Sequence, residues 1–408
     1  MGREQPAENS GKMAIILAPD DKGRQTVFGI PAVRRLALLT RQVGLTEVHV
    51  VGKVKALQPI LFDLIPPERF HPAENPASMR RAVEGLVLPD QQRVLVLKSN
   101  CIIDRVSLRR LIEAGESPDL YCMEVKGKKD TERLYLSTPP YLVSILLHLW
   151  SPSSNLSILD KAQPVQGVDG LPYALDGGEE QAKVAEAKLM EAQAFQTKGE
   201  DGFLARHLNR RVSRFISRGL VLTPATPNQI TLVGASIGMA GAFLFSWAGY
   251  WPKLIGSLLF LLCIIVDGVD GEIARLKLQA TSFGHYLDII TDNIVHIALF
   301  AGITLGLYRD SPNPEYFGIL CFLIGGFGLC GVAVYQCILK RSPDELRQSP
   351  KTIRIMALLS NRDFAYIVVA LALVQRLHWF LLGAALGTYL FAATLWVMSF
   401  YERRTVAQ

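Results

Sequence analysis

The chain has 408 residues, 50% of them hydrophobic by type, with a mean hydropathy of +0.23 and a formal net charge of +6. So long a chain predicts at least two domains, and so modest a charge excludes an electrostatically driven nucleic-acid binder. The six cysteines (Cys101, Cys122, Cys263, Cys321, Cys330, Cys337) form no CxxC pair, which argues for reduced thiols serving as small hydrophobes.

Residues 1–12 are polar and predict a disordered tail, and the apolar run Met13–Ala18 is too short for a signal h-region. Residues 13–200 predict a cytosolic domain. Met13–Ala18, Glu47–Gly52 and Arg93–Lys98 read as buried parallel strands, with helices over Ala32–Val43 and Ser78–Leu86 between them. That alternation predicts a doubly wound α/β domain. The apolar run Tyr141–Trp150 is too short to cross a bilayer and predicts a core helix. A loop-rich stretch follows, then an Ala/Glu/Lys-rich connecting helix over Glu179–Gln196 with a solvated charged face.

The loop after the first strand runs Leu17-Ala18-Pro19-Asp20-Asp21-Lys22-Gly23-Arg24, the third strand ends in Lys98-Ser99-Asn100, and Asp176 precedes Gly177-Gly178-Glu179-Glu180. In these features the half resembles a sugar-phosphate or alcohol-phosphate nucleotidyltransferase domain. The resemblance implies a Gly-rich loop whose backbone N–H groups hold a triphosphate, with a metal aspartate after the third strand and a second one later. Arg24 and Asp176 match. Asp20 and Lys22 stand where glycines are expected, and Asn100 stands near the expected aspartate. An acidic side chain in the loop opposes the approach of phosphate, so a fold kept for packing, dimerisation or membrane docking is the expectation.

Residues 201–228 predict an amphipathic helix on the membrane surface. Arg206, Arg210, Arg211, Arg214 and Arg218 surround an apolar stripe of Leu208, Val212, Phe215 and Ile216. The break Pro224-Ala225-Thr226-Pro227-Asn228 opens a membrane domain over 229–402. Six spans are expected, at about 229–249, 253–275, 285–307, 316–339, 361–376 and 379–400. An all-α six-helix transmembrane bundle follows. Basic residues concentrate in the surface helix, between Lys340 and Arg362, and at Arg403-Arg404. Six spans place all three groups on one side, which the positive-inside rule makes cytoplasmic. The protein is thus expected in the cytoplasmic membrane, multi-pass, with its N-terminal domain inside. Gly234, Gly238 and Gly241 permit close helix contact in the first span.

Between the second and third spans lie Asp267, Asp270, Asp288 and Asp292. Carboxylates at membrane depth are costly and point to function. At helical spacing Asp267, Asp270, Gly271 and Ala274 share one arc, and Gly284, Asp288 and Asp292 share a face of the next helix. The polar turn between lets the two acidic faces meet. Four carboxylates a few ångströms apart repel unless cations sit among them, so hard divalent ions are the natural guests. The competing reading is a set of capping or salt-bridged aspartates around Arg275 and Lys277.

The residues Asp267, Asp270, Gly271, Ala274, Arg275, Gly284, Asp288 and Asp292 reproduce the D-x2-D-G-x2-A-R-x8-G-x3-D-x3-D signature, and the membrane half resembles the CDP-alcohol phosphotransferases. The Thr-Pro-Asn-x-Ile-Thr entry at Thr226 resembles them too. The resemblance implies transfer of a phospho-alcohol from a CDP-alcohol donor to an alcohol or phospho-alcohol acceptor with release of CMP. It also implies Mg2+ or Mn2+, two ions, on Asp267, Asp270, Asp288 and Asp292, with Asp292 as general base. Gly271, Ala274 and Gly284 would line the CDP pocket and Arg275 would support the phosphates. A homodimer among membrane lipids is implied as well. Arg362 is a candidate for an acceptor phosphate, because a guanidinium suits bidentate contact, or else an interfacial anchor. His285 and His296 read as packing or hydrogen-bonding residues rather than metal ligands.

The fusion of the two halves resembles the bifunctional inositol-1-phosphate cytidylyltransferase and di-myo-inositol phosphate phosphate synthase proteins. Two substrate readings follow: a phospholipid synthase using a lipid CDP donor, or an enzyme that also makes its own CDP-alcohol. An ion transporter is a further reading, but transporters often show internal repeats and broken helices, and neither is visible here.

Overall fold

The computed structural model describes residues 12–86, 88, 92–114, 120–125, 132–151, 159–167, 171–196, 208–340, 352 and 363–406. Two compact units are present: among the described residues, one comprises 12–196 together with Leu276–Leu278, the other 208–275 and 279–406.

The N-terminal unit is an α/β sheet domain. Its strands begin with β1 (Lys12–Ala18), a short hairpin of β2 (Thr26–Val27) and β3 (Ile30–Pro31), β4 (Val48–Gly52), β5 (Phe70–Pro72) and β6 (Arg93–Lys98). They continue with β7 (Cys101–Ile102), β8 (Leu120–Val125), β9 (Glu132–Ser137), β10 (Gln163–Pro164) and β11 (Tyr173–Ala174). The main sheet has seven strands in the order β10-β8-β9-β6-β1-β4-β5. The three expected strands, β1, β4 and β6, are parallel neighbours at its centre. What the sequence pattern did not foresee is β9, which runs antiparallel between β6 and β8 and makes the sheet mixed.

Helices α1 (Ala32–Gln42), α2 (Gln58–Leu61), α3 (Pro76–Glu84), α4 (Arg105–Ile112) and α5 (Pro139–Trp150) cover the sheet. Strand β1 is apolar on both faces, and successive side chains point opposite ways. Ala14 and Ile16 join a core with Val33 and Leu36 of α1 and Leu108 and Leu111 of α4. Met13, Ile15 and Leu17 join a second core with Met79 of α3 and Ile145 and Leu146 of α5. Each buried Val, Leu, Ile or Met side chain contributes about 1.5–3 kcal/mol relative to exposure, so helices are needed on both faces. The starts of α3 and α4 are set by side chains: Asn75 closes a capping box with Ser78, and Asp104 accepts from the N–H groups of Val106 and Ser107.

Helix α6 (Glu179–Gln196) does more than connect. Ala185, Leu189 and Ala192, at helical spacing, are buried, and the carboxylate of Glu186 accepts from the N–H of Phe28 at 2.7 Å.

The C-terminal unit is helical: α7 (Arg210–Leu220), α8 (Pro227–Phe245), α9 (Tyr250–Leu276), α10 (Ser282–Asp310), α11 (Glu315–Val334), α12 (Phe364–Leu373) and α13 (Leu377–Val406). Among the described residues, five helices, α8, α9, α10, α11 and α13, are long and apolar enough to cross a membrane. The expected fifth of six spans corresponds to α12, which has ten described residues. At about 1.5 Å per residue that is roughly half of a ~30 Å hydrocarbon core. Helix α8 starts where a proline at its first turn and a Thr226–Gln229 capping box permit it.

Small residues set the packing of α8 against its neighbours. A Cβ on Gly238 would lie 2.6 Å from Val295 Cγ1 and 2.8 Å from Cys263 Sγ. The same addition at Gly302 or Gly306 would strike the carbonyl of Ala242 or Phe245. Phe245, Phe260, Leu299, Ile303, Leu323, Val368 and Leu381 fill the centre. Leu232, Phe243, Leu258, Ile294, Leu386 and Leu390 are exposed. Apolar side chains on the outside of apolar helices suit lipid as the solvent.

Candidate metal centre

Five residues separate α9 from α10, so the pair forms a helical hairpin. Asp267 lies nine residues before the end of α9, and Asp288 and Asp292 lie six and ten residues after the start of α10. All three are therefore two to three turns from the connecting turn. Their carboxylate oxygens converge, one from each residue, to within 4.8 Å of one another. Each residue is half-buried. Three hard oxygen donors at this spacing fit a divalent cation of the magnesium or manganese kind, and no sulfur or imidazole ligand is among them.

Asp270 lies outside this trio. It is 6% exposed, and its Oδ2 accepts a short hydrogen bond from the hydroxyl of Thr231 on α8. Three residues of helix turn the side chain about 60° away from Asp267, enough to aim it at the neighbouring helix. Thr231 was not among the residues expected at the site. Neither was Asn228, whose side chain is packed on the start of α10: a Cβ on Gly284 would stand 2.8 Å from Asn228 Oδ1. Both belong to the Thr-Pro-Asn-x-Ile-Thr stretch, which was the available signal.

The remaining expected residues are placed as follows. Thr281 caps α10 by accepting from the N–H of Gly284 at 3.0 Å. Gly271 lies against the guanidinium of Arg275, which would be 3.5 Å from an added Cβ. Ala274 is half-buried one turn further along α9. His296 bonds through Nδ1 to the carbonyl of Asp292 at 2.6 Å and packs between Phe260 and Phe364, while His285 is exposed beside Tyr286. Arg362 lies outside the described residues.

The loop after β1 was the second candidate. Lys22 Nζ stands 3.8 Å from Asp20 Oδ2 and 3.6 Å from Asp176 Oδ1. Gly23 is packed on Ser99, whose Cβ would be 2.8 Å from a Cβ there. Asn100 is buried, and its amide donates to the carbonyl of Leu175 at 2.8 Å. Arg24 is exposed.

Five apolar helices of spanning length, two of them bringing three carboxylates together, define a multi-pass membrane protein with a candidate metal centre. Residues 224–400 match the family model described as CDP-alcohol phosphatidyltransferase, so the C-terminal unit carries a domain of that family. The bifunctional IPC transferase and DIPP synthase of Thermococcus kodakarensis is 35% identical over 170 residues, 41% of this chain and 37% of that protein. The protein of the same description from Aquifex aeolicus is 37% identical over 107 residues, 26% of this chain and 24% of that one. The phosphatidylinositol phosphate synthase of Mycobacterium tuberculosis is 33% identical over 113 residues, 27% of this chain and 51% of that protein. The chain thus spans about a quarter to half the length of these curated relatives. A crystal structure of the Mycobacterium tuberculosis synthase with CDP-DAG bound aligns with a TM-score of 0.30 at 19% identity, over 48% of this chain and 94% of that one.

Proposed function

We propose that the protein is an integral-membrane CDP-alcohol phosphotransferase, which moves a phospho-alcohol group from a CDP-alcohol to an acceptor hydroxyl and releases CMP. One observation carries the reading: within the segment that matches the family, carboxylate oxygens from two successive membrane helices converge within 4.8 Å. Asp267, Asp288 and Asp292 hold divalent metal, and Asp270 contributes to a second ion or fixes α9 against Thr231. When bound, the metal neutralises the pyrophosphate and stabilises the departing CMP. Asp292 accepts the proton of the acceptor hydroxyl as its oxygen bonds to the phosphorus carrying the alcohol. The phosphoanhydride bond to CMP breaks in the same displacement. Gly271, Ala274 and Gly284 line the cytidine pocket beside Arg275 and Asn228, and Arg275 supports the phosphates. Arg362 receives a phosphate on the acceptor.

In this reading six membrane segments, with α12 among them, place the site and the N-terminal unit on the cytoplasmic side, in keeping with the basic residues there. The N-terminal unit is nucleotidyltransferase-like in fold. Lys22, paired with Asp20 and Asp176, supports transfer alone over a bifunctional enzyme, because its ammonium already balances the charge of the acids that a metal would use.

The test is CMP release by the purified protein with Mg2+ or Mn2+ across a panel of CDP-alcohols and acceptors. Release with at least one pair, abolished by chelation, is expected. No release with any pair would overturn the proposal. CMP release from CTP, an alcohol phosphate and an acceptor, without added CDP-alcohol, would favour the bifunctional alternative.

A further inference from the structure

Two residues beyond Asp270, α9 carries a second buried acid that the reaction does not use. Glu272 is 5% exposed, and its position on the helix is roughly 140° round from Asp267. Its Oε1 accepts from Ser213 Oγ at 2.9 Å and from Arg210 Nη1 at 3.2 Å, and its Oε2 accepts from Ser217 Oγ at 2.7 Å. All three donors lie on α7. A buried carboxylate is tolerated only where such donors surround it.

These contacts give α7 three distinct faces. Asn209, Ser213 and Ser217, four residues apart, are buried against the unit. Leu208, Val212 and Phe215 point outward, Phe215 being 80% exposed. Arg211 and Arg218 are exposed beside them. The inward face is held at further points. Ile216 and Leu220 pack with Val269 and Ile273 of α9, and Asn209 Oδ1 accepts from the hydroxyl of Tyr366 on α12 at 2.5 Å. The surface helix is thus bonded to the back of the helix whose other side bears Asp267.

We propose that Glu272 is a positioning residue: bound by Ser213, Ser217 and Arg210, it locks α7 to α9 and so fixes the rotation of α9 that aims Asp267 at Asp288 and Asp292. The proposal rests on the metal reading of that trio. A helix turned by a few tens of degrees carries a carboxylate oxygen ångströms away from its partners, so the lock acts on metal affinity before it acts on chemistry. Groups hydrogen-bonded directly to metal ligands typically change metal affinity by about 10- to 100-fold when removed, and a lock one step further back is expected at the lower end.

The test is titration of the purified full-length protein with Mn2+, following the free-ion electron paramagnetic resonance signal. Glu272→Ala is expected to weaken Mn2+ binding by about tenfold or more, and Ser213→Ala with Ser217→Ala by a smaller factor. A covalent substitute for the lock is available, because a Cβ on Gly268 would lie 3.9 Å from Ser213 Cβ, inside the roughly 3.5–4.5 Å a disulfide spans. In the Glu272→Ala background, Ser213→Cys with Gly268→Cys should recover Mn2+ affinity when oxidised and lose it again on reduction. A residue that only stabilised the fold would lower the melting temperature and leave the Mn2+ titration of the folded protein unmoved. That result in Glu272→Ala or, if that variant does not fold, in the double serine variant, overturns the inference alone. Absence of Mn2+ binding by the unaltered protein overturns the metal reading, and this inference with it.

Discussion

Among the described residues, aspartates gather at two places, and the two gatherings differ in what stands among them. In the C-terminal unit Asp267, Asp288 and Asp292 bring their oxygens within 4.8 Å of one another. In the N-terminal unit Asp20 and Asp176 lie on either side of Lys22, 3.8 and 3.6 Å from its ammonium. The trio concentrates three formal negative charges on two apolar helices, an arrangement that favours a cation taken from solution. The pair has its cation supplied by the chain. On the proposed reading, the local charge balance decides whether a group of acids recruits an ion.

The comparison breaks first if the trio is dispensable. Asp288→Asn is expected to abolish metal-dependent CMP release, a loss of about a thousandfold or roughly 4 kcal/mol of barrier. Asp292→Asn should lower turnover by about 10²–10⁴ for loss of a general base while largely sparing CDP-alcohol binding. Equal losses of turnover and donor affinity in that variant would end the division of roles. A smaller effect is expected at Thr231. Thr231→Val keeps the volume and removes the hydroxyl that Asp270 accepts from, which costs about 1–3 kcal/mol for a buried acceptor left short of a donor. Thermal unfolding of the purified protein measures it, and an unshifted transition would show that Thr231 does not support Asp270.

Much of the site was legible because helical period alone fixes which residues share a face. Asp288 and Asp292 are one turn apart whatever surrounds them, and a short polar turn brings Asp267 towards them. The departure of Asp270 to Thr231 was not legible, since it depends on where α8 packs, and that is set by Gly238 meeting Val295 and Cys263. The role of Asn228 against Gly284 was hidden for the same reason. In the N-terminal unit the central strands were legible because β1 is apolar on both faces. Antiparallel β9 was not: it pairs back on β8, close by in sequence, and its place beside β6 is set only by the tertiary fold. Helix α6 was legible as a connecting helix with a solvated charged face, while its narrow buried stripe of Ala185, Leu189 and Ala192 was not.

The N-terminal unit has a titration of its own, of smaller consequence. His49 Nδ1 and His71 Nε2 are 2.9 Å apart on neighbouring strands β4 and β5. Burial holds both rings below the ordinary histidine value of 6.5, and at His71 the neighbouring His49 adds to it. A histidine whose folded value is lowered favours the fold while neutral, so the contribution is whole above about pH 6.5 and is lost as pH falls through the lowered folded values. Hydrogen exchange of β4 and β5, corrected for the intrinsic pH dependence, should show less protection at about pH 5.5 than at about pH 7.5. In His71→Gln that difference should shrink; an unchanged difference would exclude the pair as its source.

The smallest effect is expected at Lys22, and it sharpens the comparison from the other side. The ammonium and its two partners are each about a third exposed, and ion pairs of that kind contribute about 0–1 kcal/mol. Lys22→Ala should therefore shift the melting transition little and leave CMP release from a supplied CDP-alcohol unchanged. By the same charge balance, the two carboxylates left without the ammonium attract a divalent cation rather than a bare triphosphate, so without added metal CTP binding should not appear in the variant. A Lys22→Ala protein that lost transfer from a supplied donor would tie the N-terminal loop to the chemistry after all, and the contrast between a recruited and a built-in cation would have to be given up.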